Sequence, residues 1–174
     1  MTDSRRILFI INPISGLGLG KEVPEHIKKL PEYEHVVYDI EFTEYSGHAR
    51  KLVEDARLSG KYTHIVAVGG DGTVNEVGAA LCGSGIAFAV VSLGSGNGFA
   101  RHLGYSIFMS KALKQVLTEQ YVNIDVLQIN DRYSLNVSGV GFDAEVAHEF
   151  NHQKLRGVFS YIYACLLYTS DAAD

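Results

Sequence analysis

The sequence predicts an α/β fold, a mostly parallel sheet flanked by helices, followed by the start of an antiparallel β domain. Three observations carry this. Short apolar runs of strand length alternate with amphipathic stretches through the first two-thirds of the chain. Three glycine-rich segments each stand directly behind one of those runs. Near residue 122 the pattern changes to apolar/polar alternation on either side of an Asn130-Asp131 turn.

Residues 7–11 form an unbroken apolar run, as a strand covered on both faces requires. After a glycine-rich turn, Val23, Ile27 and Leu30 recur at i, i+4 and i+7, one face of a helix. Residues 36–42 are rich in β-formers. Helical spacing returns over 47–58 with Ala49, Leu52, Val53 and Ala56. Residues 65–68 read as another buried strand, followed by a helix carrying Val74, Val77, Gly78 and Leu81. Residues 86–91 read as a further strand, and a last glycine-rich turn opens into a helix over 98–103. Met109, Ala112, Leu113 and Val116 mark one more helix. Beyond it, Val122, Ile124 and Val126 alternate with polar residues, as do Tyr133, Leu135 and Val137, predicting a hairpin. The expected boundary therefore places an α/β domain at 1–122 and the beginning of a second domain at 123–174.

Composition narrows the function classes. Hydrophobic residues make up 47% and charged residues 20% of 174, a globular balance. The net charge of -5 argues against a binder of nucleic-acid backbone, and no basic tract is present to hold an anionic membrane. No apolar run is long enough for a transmembrane segment or a secretory leader. Cys82 and Cys165 form no CxxC pair, which reads as a reducing, cytoplasmic setting with Cys82 buried as a small apolar residue.

In parallel sheets of this kind, ligands bind where loops leave the C-terminal ends of the strands. The glycine-rich segments are predicted to lie there. The most informative is Gly69-Gly70-Asp71-Gly72-Thr73-Val74-Asn75-Glu76-Val77. Thr73 and Glu76 have capping-box spacing, which predicts a helix capped by Thr73. Backbone N–H groups at such a start bind anions, and an aspartate inside the turn suits a phosphate only with Mg²⁺ between them. The plain alternative is a tight strand–helix turn with a solvated Asp71.

The first segment, Asn12-Pro13-Ile14-Ser15-Gly16-Leu17-Gly18-Leu19-Gly20-Lys21, is not a Walker A loop, because Glu22 follows the lysine. Its glycines are spaced GxGxG, so it is no dinucleotide fingerprint either. The third, Leu93-Gly94-Ser95-Gly96-Asn97-Gly98-Phe99-Ala100-Arg101, offers Ser95 and Asn97 as donors to phosphate or ribose.

Four stretches occur in order: Asn-Pro-x-Ser-Gly at 12–16, Gly-Gly-Asp-Gly-Thr-x-Asn-Glu-Val at 69–77, Gly-Ser-Gly-Asn-x-Phe-Ala-Arg at 94–101 and Gly-x-Gly-Phe-Asp-Ala-x-Val at 139–146. Together they resemble the diacylglycerol kinase catalytic family, which includes bacterial lipid kinases, sphingosine kinases and ceramide kinases. The resemblance covers about residues 5–165. It implies an α/β nucleotide domain and a β-sandwich second domain, with ATP between them and a lipid hydroxyl as acceptor at a membrane surface, in phospholipid metabolism. Carried onto this sequence, it places Asn12, Pro13, Ser15, Gly16 and Thr43 near the nucleotide. Gly69, Gly70, Asp71, Gly72, Thr73, Asn75 and Glu76 would surround the phosphates, with Gly94, Ser95, Gly96 and Asn97 beside them. Asp71 would organise Mg²⁺–ATP, and no protein-only metal site is expected. Gly98 departs from the pattern, since bacterial members often carry Asp there.

The resemblance also implies that the second domain supplies the acidic base acting on the lipid hydroxyl. The chain is therefore expected to be the ATP-binding half and inactive alone. From about residue 166 the sequence ceases to resemble the family, so Asp171 and Asp174 are not candidate acids.

Three rivals stand beside this reading. An NAD(P)-binding module would need an acidic ribose ligand ending the second strand, where Asp39 and Glu41 stand. A non-catalytic nucleotide-binding module needs only the cradle. His148-Glu149-Phe150-Asn151-His152 matches the HExxH zinc-protease helix, but no third ligand follows it.

Overall fold

A computed structural model describes residues 5–139 together with Gly141 and Ala144. The chain divides into two compact units, Met1–Asn136 and Val137–Asp174. The first contains every element below.

Four parallel strands form the main sheet: β1 (Arg6–Ile11), β2 (Val37–Phe42), β3 (His64–Gly69) and β4 (Ala87–Ser92), in the order β2-β1-β3-β4. Five helices accompany them: α1 (Val23–Lys28), α2 (His48–Ser59), α3 (Asp71–Leu81), α4 (Gly98–His102) and α5 (Met109–Val116). A separate antiparallel pair, β5 (Leu127–Ile129) and β6 (Arg132–Ser134), turns at Asn130-Asp131. These are the predicted α/β sheet and the predicted hairpin.

The apolar runs explain the sheet. Every residue of β3, and all of β1 after Arg6, is buried, because each strand has a neighbour on both sides and helices on both faces. Alternate side chains feed two cores. Ile7, Phe9 and Ile11 meet Val23, Ile27, Leu113 and Val116 of α1 and α5. Leu8 and Ile10 meet Val53, Ala56, Val77 and Phe99 of α2, α3 and α4. β2 is an edge strand and is half-exposed or exposed throughout. Tyr33 closes the first core by donating to the Leu113 carbonyl at 2.7 Å, and burial pushes its phenol pKa well above the ordinary range.

Three expectations are corrected. Alternation at 122–126 produces no strand: β5 begins only at Leu127, and Val122 and Ile124 stand exposed. Without a partner surface on one face, alternation alone does not set a strand. Cys82 is half-exposed rather than buried, its Sγ 3.5 Å from the Gly78 carbonyl. The third correction, at Thr73, belongs to the site below.

Candidate functional site

The sheet order sets where a ligand fits. α1 leaves β1 toward one face and α3 leaves β3 toward the other, and β1 and β3 are neighbours. Their loops diverge and open a crevice at the C-terminal ends, the switch point at which doubly wound sheets bind ligands.

The glycine-rich turns after β1, β3 and β4 all reach this end and are tied together. Asn12 N–H donates to the Val68 carbonyl at 2.9 Å, and Asn12 Nδ2 to Thr73 Oγ1 at 3.4 Å. Leu93 N–H donates to the Gly69 carbonyl at 2.8 Å, and Thr43 N–H to the Ile11 carbonyl at 2.8 Å. The second and third turns touch through bare backbone, since a Cβ on Gly94 would stand 2.9 Å from Gly70 Cα. Gly16 has φ +62°, and a Cβ there would stand 3.0 Å from the Leu93 carbonyl oxygen, so the first turn rests on the third. Pro13 and Ser15 lie half-buried in that first turn, and Ser95 lies exposed on the third.

α3 supplies the anion-binding end. Gly70 is its N-cap, with extended backbone and no side-chain cap. The first helical bond runs from Val74 N–H to the Gly70 carbonyl at 3.0 Å. The N–H groups of Asp71, Gly72 and Thr73 therefore have no acceptor within the helix and face the crevice end. This overturns the capping-box expectation. The helix starts three residues earlier than that spacing implies, with Gly70 and not Thr73 as its cap, and Thr73 sits inside the first turn. Thr73 is buried, and its hydroxyl lies within 2.7 Å of where a Gly69 Cβ would be. Glycine at 69 is the condition for that packing.

Three buried side-chain oxygens among the described residues lack a hydrogen-bond partner: Asp71 Oδ1, Asn97 Oδ1 and Ser92 Oγ. They stand in the first turn of α3, at the N-cap of α4 and at the end of β4. Buried polar atoms without partners are costly, and all three belong to the ends of β4, α3 and α4 at the loop cluster, which makes it the candidate site. A Cβ on Gly96 would stand 3.0 Å from Asp71 Oδ2, so the carboxylate lies against the third turn. Ser92 escaped the sequence reading, although a hydroxyl ending an otherwise apolar strand was a signal for it.

Two candidate residues have other partners. Asn75 Oδ1 accepts from Leu135 N–H at 3.0 Å, and its Nδ2 donates to the Tyr133 carbonyl at 3.3 Å. Glu76 Oε1 accepts from Gly47 N–H at 3.2 Å, joining α3 to the turn before α2. Asp39, a proposed ribose ligand in the dinucleotide reading, lies mid-strand. Its carboxylate is held by Lys61 Nζ at 2.7 Å and Tyr62 Oη at 2.9 Å. Asp143, the aspartate of the 139–146 stretch, lies outside the described residues, as do the HExxH stretch and the tail.

Among the described residues no group of three or more His, Cys, Asp or Glu side chains is placed to hold a metal. A cation here would rest on Asp71, the neighbouring amide oxygens and a ligand's own oxygens, as Mg²⁺ does with phosphates. No helix among the described residues is long and apolar enough to cross a membrane. A groove of about 890 Å³ runs along the outer edge of β4, lined by Phe88, Val90, Leu103, Tyr105, Tyr121 and Leu135 among others. None of the three turns lines it.

A parallel sheet flanked by helices, with three glycine-rich turns converging at its C-terminal end, defines an α/β domain of the diacylglycerol kinase fold. The diacylglycerol kinase catalytic domain model matches residues 6–129, and the chain belongs to that family. It is 36% identical over 141 residues to a probable lipid kinase YegS-like protein of Citrobacter koseri, covering 78% of this chain and 47% of that protein. It is 32% identical over 170 residues to the probable lipid kinase YegS of Escherichia fergusonii, covering 93% and 55%. A putative diacylglycerol kinase from Bacillus anthracis str. Sterne superposes with a TM-score of 0.67 at 28% identity, over 76% of this chain and 48% of that one. The chain spans about half the length of these curated relatives.

Proposed function

We propose that the convergent turns bind Mg²⁺–ATP and that this chain is the nucleotide-binding half of a kinase that phosphorylates a lipid hydroxyl. The orphaned Asp71 Oδ1, buried beside the free N–H groups of α3, carries the reading. Those N–H groups would donate to phosphate oxygens, and Asp71 would face the metal that such phosphates bring. Bound Mg²⁺ would neutralise phosphate charge during transfer. Asn12, tied to Thr73, holds the first turn against the second, and Asn97 offers an unpaired oxygen from the third. Phosphoryl transfer depends mainly on position and charge, which is what such a cradle supplies. On this reading the base acting on the lipid hydroxyl would come from a second domain beyond the half of the relatives that this chain spans, and the chain alone should not phosphorylate lipid. Ile14, Leu17 and Leu19 stand exposed on the first turn and favour peripheral contact with a lipid surface beside the cradle.

The test is the thermal shift of the purified chain with Mg²⁺–ATP, with NAD as control, in wild type and Asp71→Ala. At a hundredfold excess over Kd, binding adds about 2.7 kcal/mol of stability. The expected result is a shift with Mg²⁺–ATP that Asp71→Ala abolishes. An undiminished shift in the variant, or none in the folded wild type, would sink the reading. A shift with NAD alone would transfer it to the dinucleotide alternative.

A further inference from the structure

The hairpin's attachment to α3 assigns a second role at this end of the molecule. With a two-residue turn at Asn130-Asp131, Ile129 and Arg132 form the bonded pair, and Leu127 pairs with Ser134. Arg132 and Ser134 thus direct their backbone groups at β5. Tyr133 and Leu135 direct theirs outward, from the free edge of the hairpin. On that edge stands one carboxamide, Asn75, accepting from Leu135 N–H and donating to the Tyr133 carbonyl. A single residue of a parallel neighbouring strand makes the same pair of bonds, its N–H donating to C=O of residue i and its C=O accepting from N–H of residue i+2. Only one orientation of the amide satisfies both, since the oxygen must meet the N–H and the nitrogen the C=O.

Packing repeats the attachment one turn further along and on the next helix. A Cβ on Gly78 would collide with Leu135 Cδ2, so the leucine sits directly on the bare helix backbone. A Cβ on Gly98 would stand 2.7 Å from Asn136 Nδ2. Three successive groups leaving β6 (the Tyr133 and Leu135 backbone, the Leu135 side chain and Asn136) are thus received by Asn75, Gly78 and Gly98.

We propose that Asn75 is a positioning residue, not a phosphate ligand: it caps the open edge of the hairpin as a surrogate strand and fixes where the chain leaves the first unit relative to the helix that carries Asp71. Gly78 and Gly98 complete the seat. A larger residue at Gly98 would have to push the exposed Asn136 carboxamide aside. The clamp itself does not depend on the ATP reading; only the nucleotide arm of the test does.

The experiment is amide hydrogen exchange by NMR on the full 174-residue chain, paired with Mg²⁺–ATP titration. Asn75→Ala should fold, since alanine favours a helix interior more than asparagine does. Two lost hydrogen bonds predict exchange at Leu135 faster by about tenfold or more, with β1 and β3 amides unchanged. Asn75→Asp, which keeps the acceptor for Leu135 N–H, should retain more protection than Asn75→Ala. Gly78→Ala should loosen the same amide by displacing the leucine. The Mg²⁺–ATP Kd of Asn75→Ala should stay within about twofold of wild type. Unchanged exchange at Leu135 in both Asn75→Ala and Gly78→Ala would overturn the clamp. So would a nucleotide affinity reduced about tenfold with exchange unaltered, which would make Asn75 a ligand. Failure of the parent chain to bind ATP would strike the proposed function and leave the exchange result standing.

Discussion

The central strands β1 and β3 and the hairpin strands β5 and β6 are both β-structure, yet they are held by different physics. The central pair has neighbours on both edges and helices on both faces, and its side chains are almost wholly buried. The hairpin strands have three residues each and are exposed along most of their length. Hydrophobic burial specifies the first pair many times over. The second leans on a turn, on one asparagine and on a leucine seated over a glycine. A two-stranded ribbon is marginal unless something packs on it.

The sharpest way to break that contrast is to remove one large side chain from each region. Phe9 is fully buried and meets the rings of Tyr33 and Tyr38 with centroids 6.1 and 5.9 Å away. Phe9→Ala should cost about 3–5 kcal/mol in denaturant unfolding, with the whole unit responding as one. Leu135→Ala, at a half-buried site, should cost roughly 1–2 kcal/mol. Its effect on exchange should be confined to the hairpin and the facing turn of α3. Equal losses for the two would mean that the hairpin belongs to the same cooperative core as the sheet.

The same contrast explains what was legible in the sequence. Runs such as 7–11 and 65–68 announce themselves because burial on both faces leaves no room for polar residues. The three turns were legible because glycines behind such runs mark close backbone approach, as Gly94 against Gly70 bears out. Alternation at 122–126 misled because nothing in it records whether a second surface is present. Thr73 misled because two features compete at one helix start. Its spacing to Glu76 mimics a capping box, but Gly70 takes the extended conformation first, and Glu76 is drawn away to Gly47. Asn75 stood out only as a candidate phosphate contact, and its bonds to the hairpin were illegible, since its partners lie 58 and 60 residues downstream.

The turns themselves can be tested between these extremes. Gly94→Ala would bring a methyl to 2.9 Å from both Gly70 Cα and Asn97 Oδ1. Backbone on one side leaves little room to yield, so the second and third turns should separate. The expected loss is about 1–3 kcal/mol, of the size seen for overpacking. Any Mg²⁺–ATP shift should fall with it, whereas Gly83→Ala, where a Cβ would meet nothing but a backbone φ of +69° resists the change, should lower stability without affecting the nucleotide shift.

The smallest effect belongs to the edge strand β2, where the Asp39 carboxylate accepts from Lys61 Nζ and Tyr62 Oη with Arg6 Nε 4.0 Å away. The hydrogen bond from Lys61, aided by Tyr62 and the two cations, holds the Asp39 pKa below its ordinary value despite partial desolvation. A depressed carboxylate contributes stability that is fully present above its unfolded pKa, near 4, and is lost as pH falls through the lower folded value. Because the side chain is 38% exposed, solvent screens most of that contribution. Asp39→Asn should therefore lower Tm only slightly at pH 7, and less still in high salt. The difference from wild type should close as the pH drops below about 4. A difference that persists undiminished into strong acid would assign the loss to packing around Tyr62 rather than to charge, and would place this edge of the sheet with the core rather than with the hairpin.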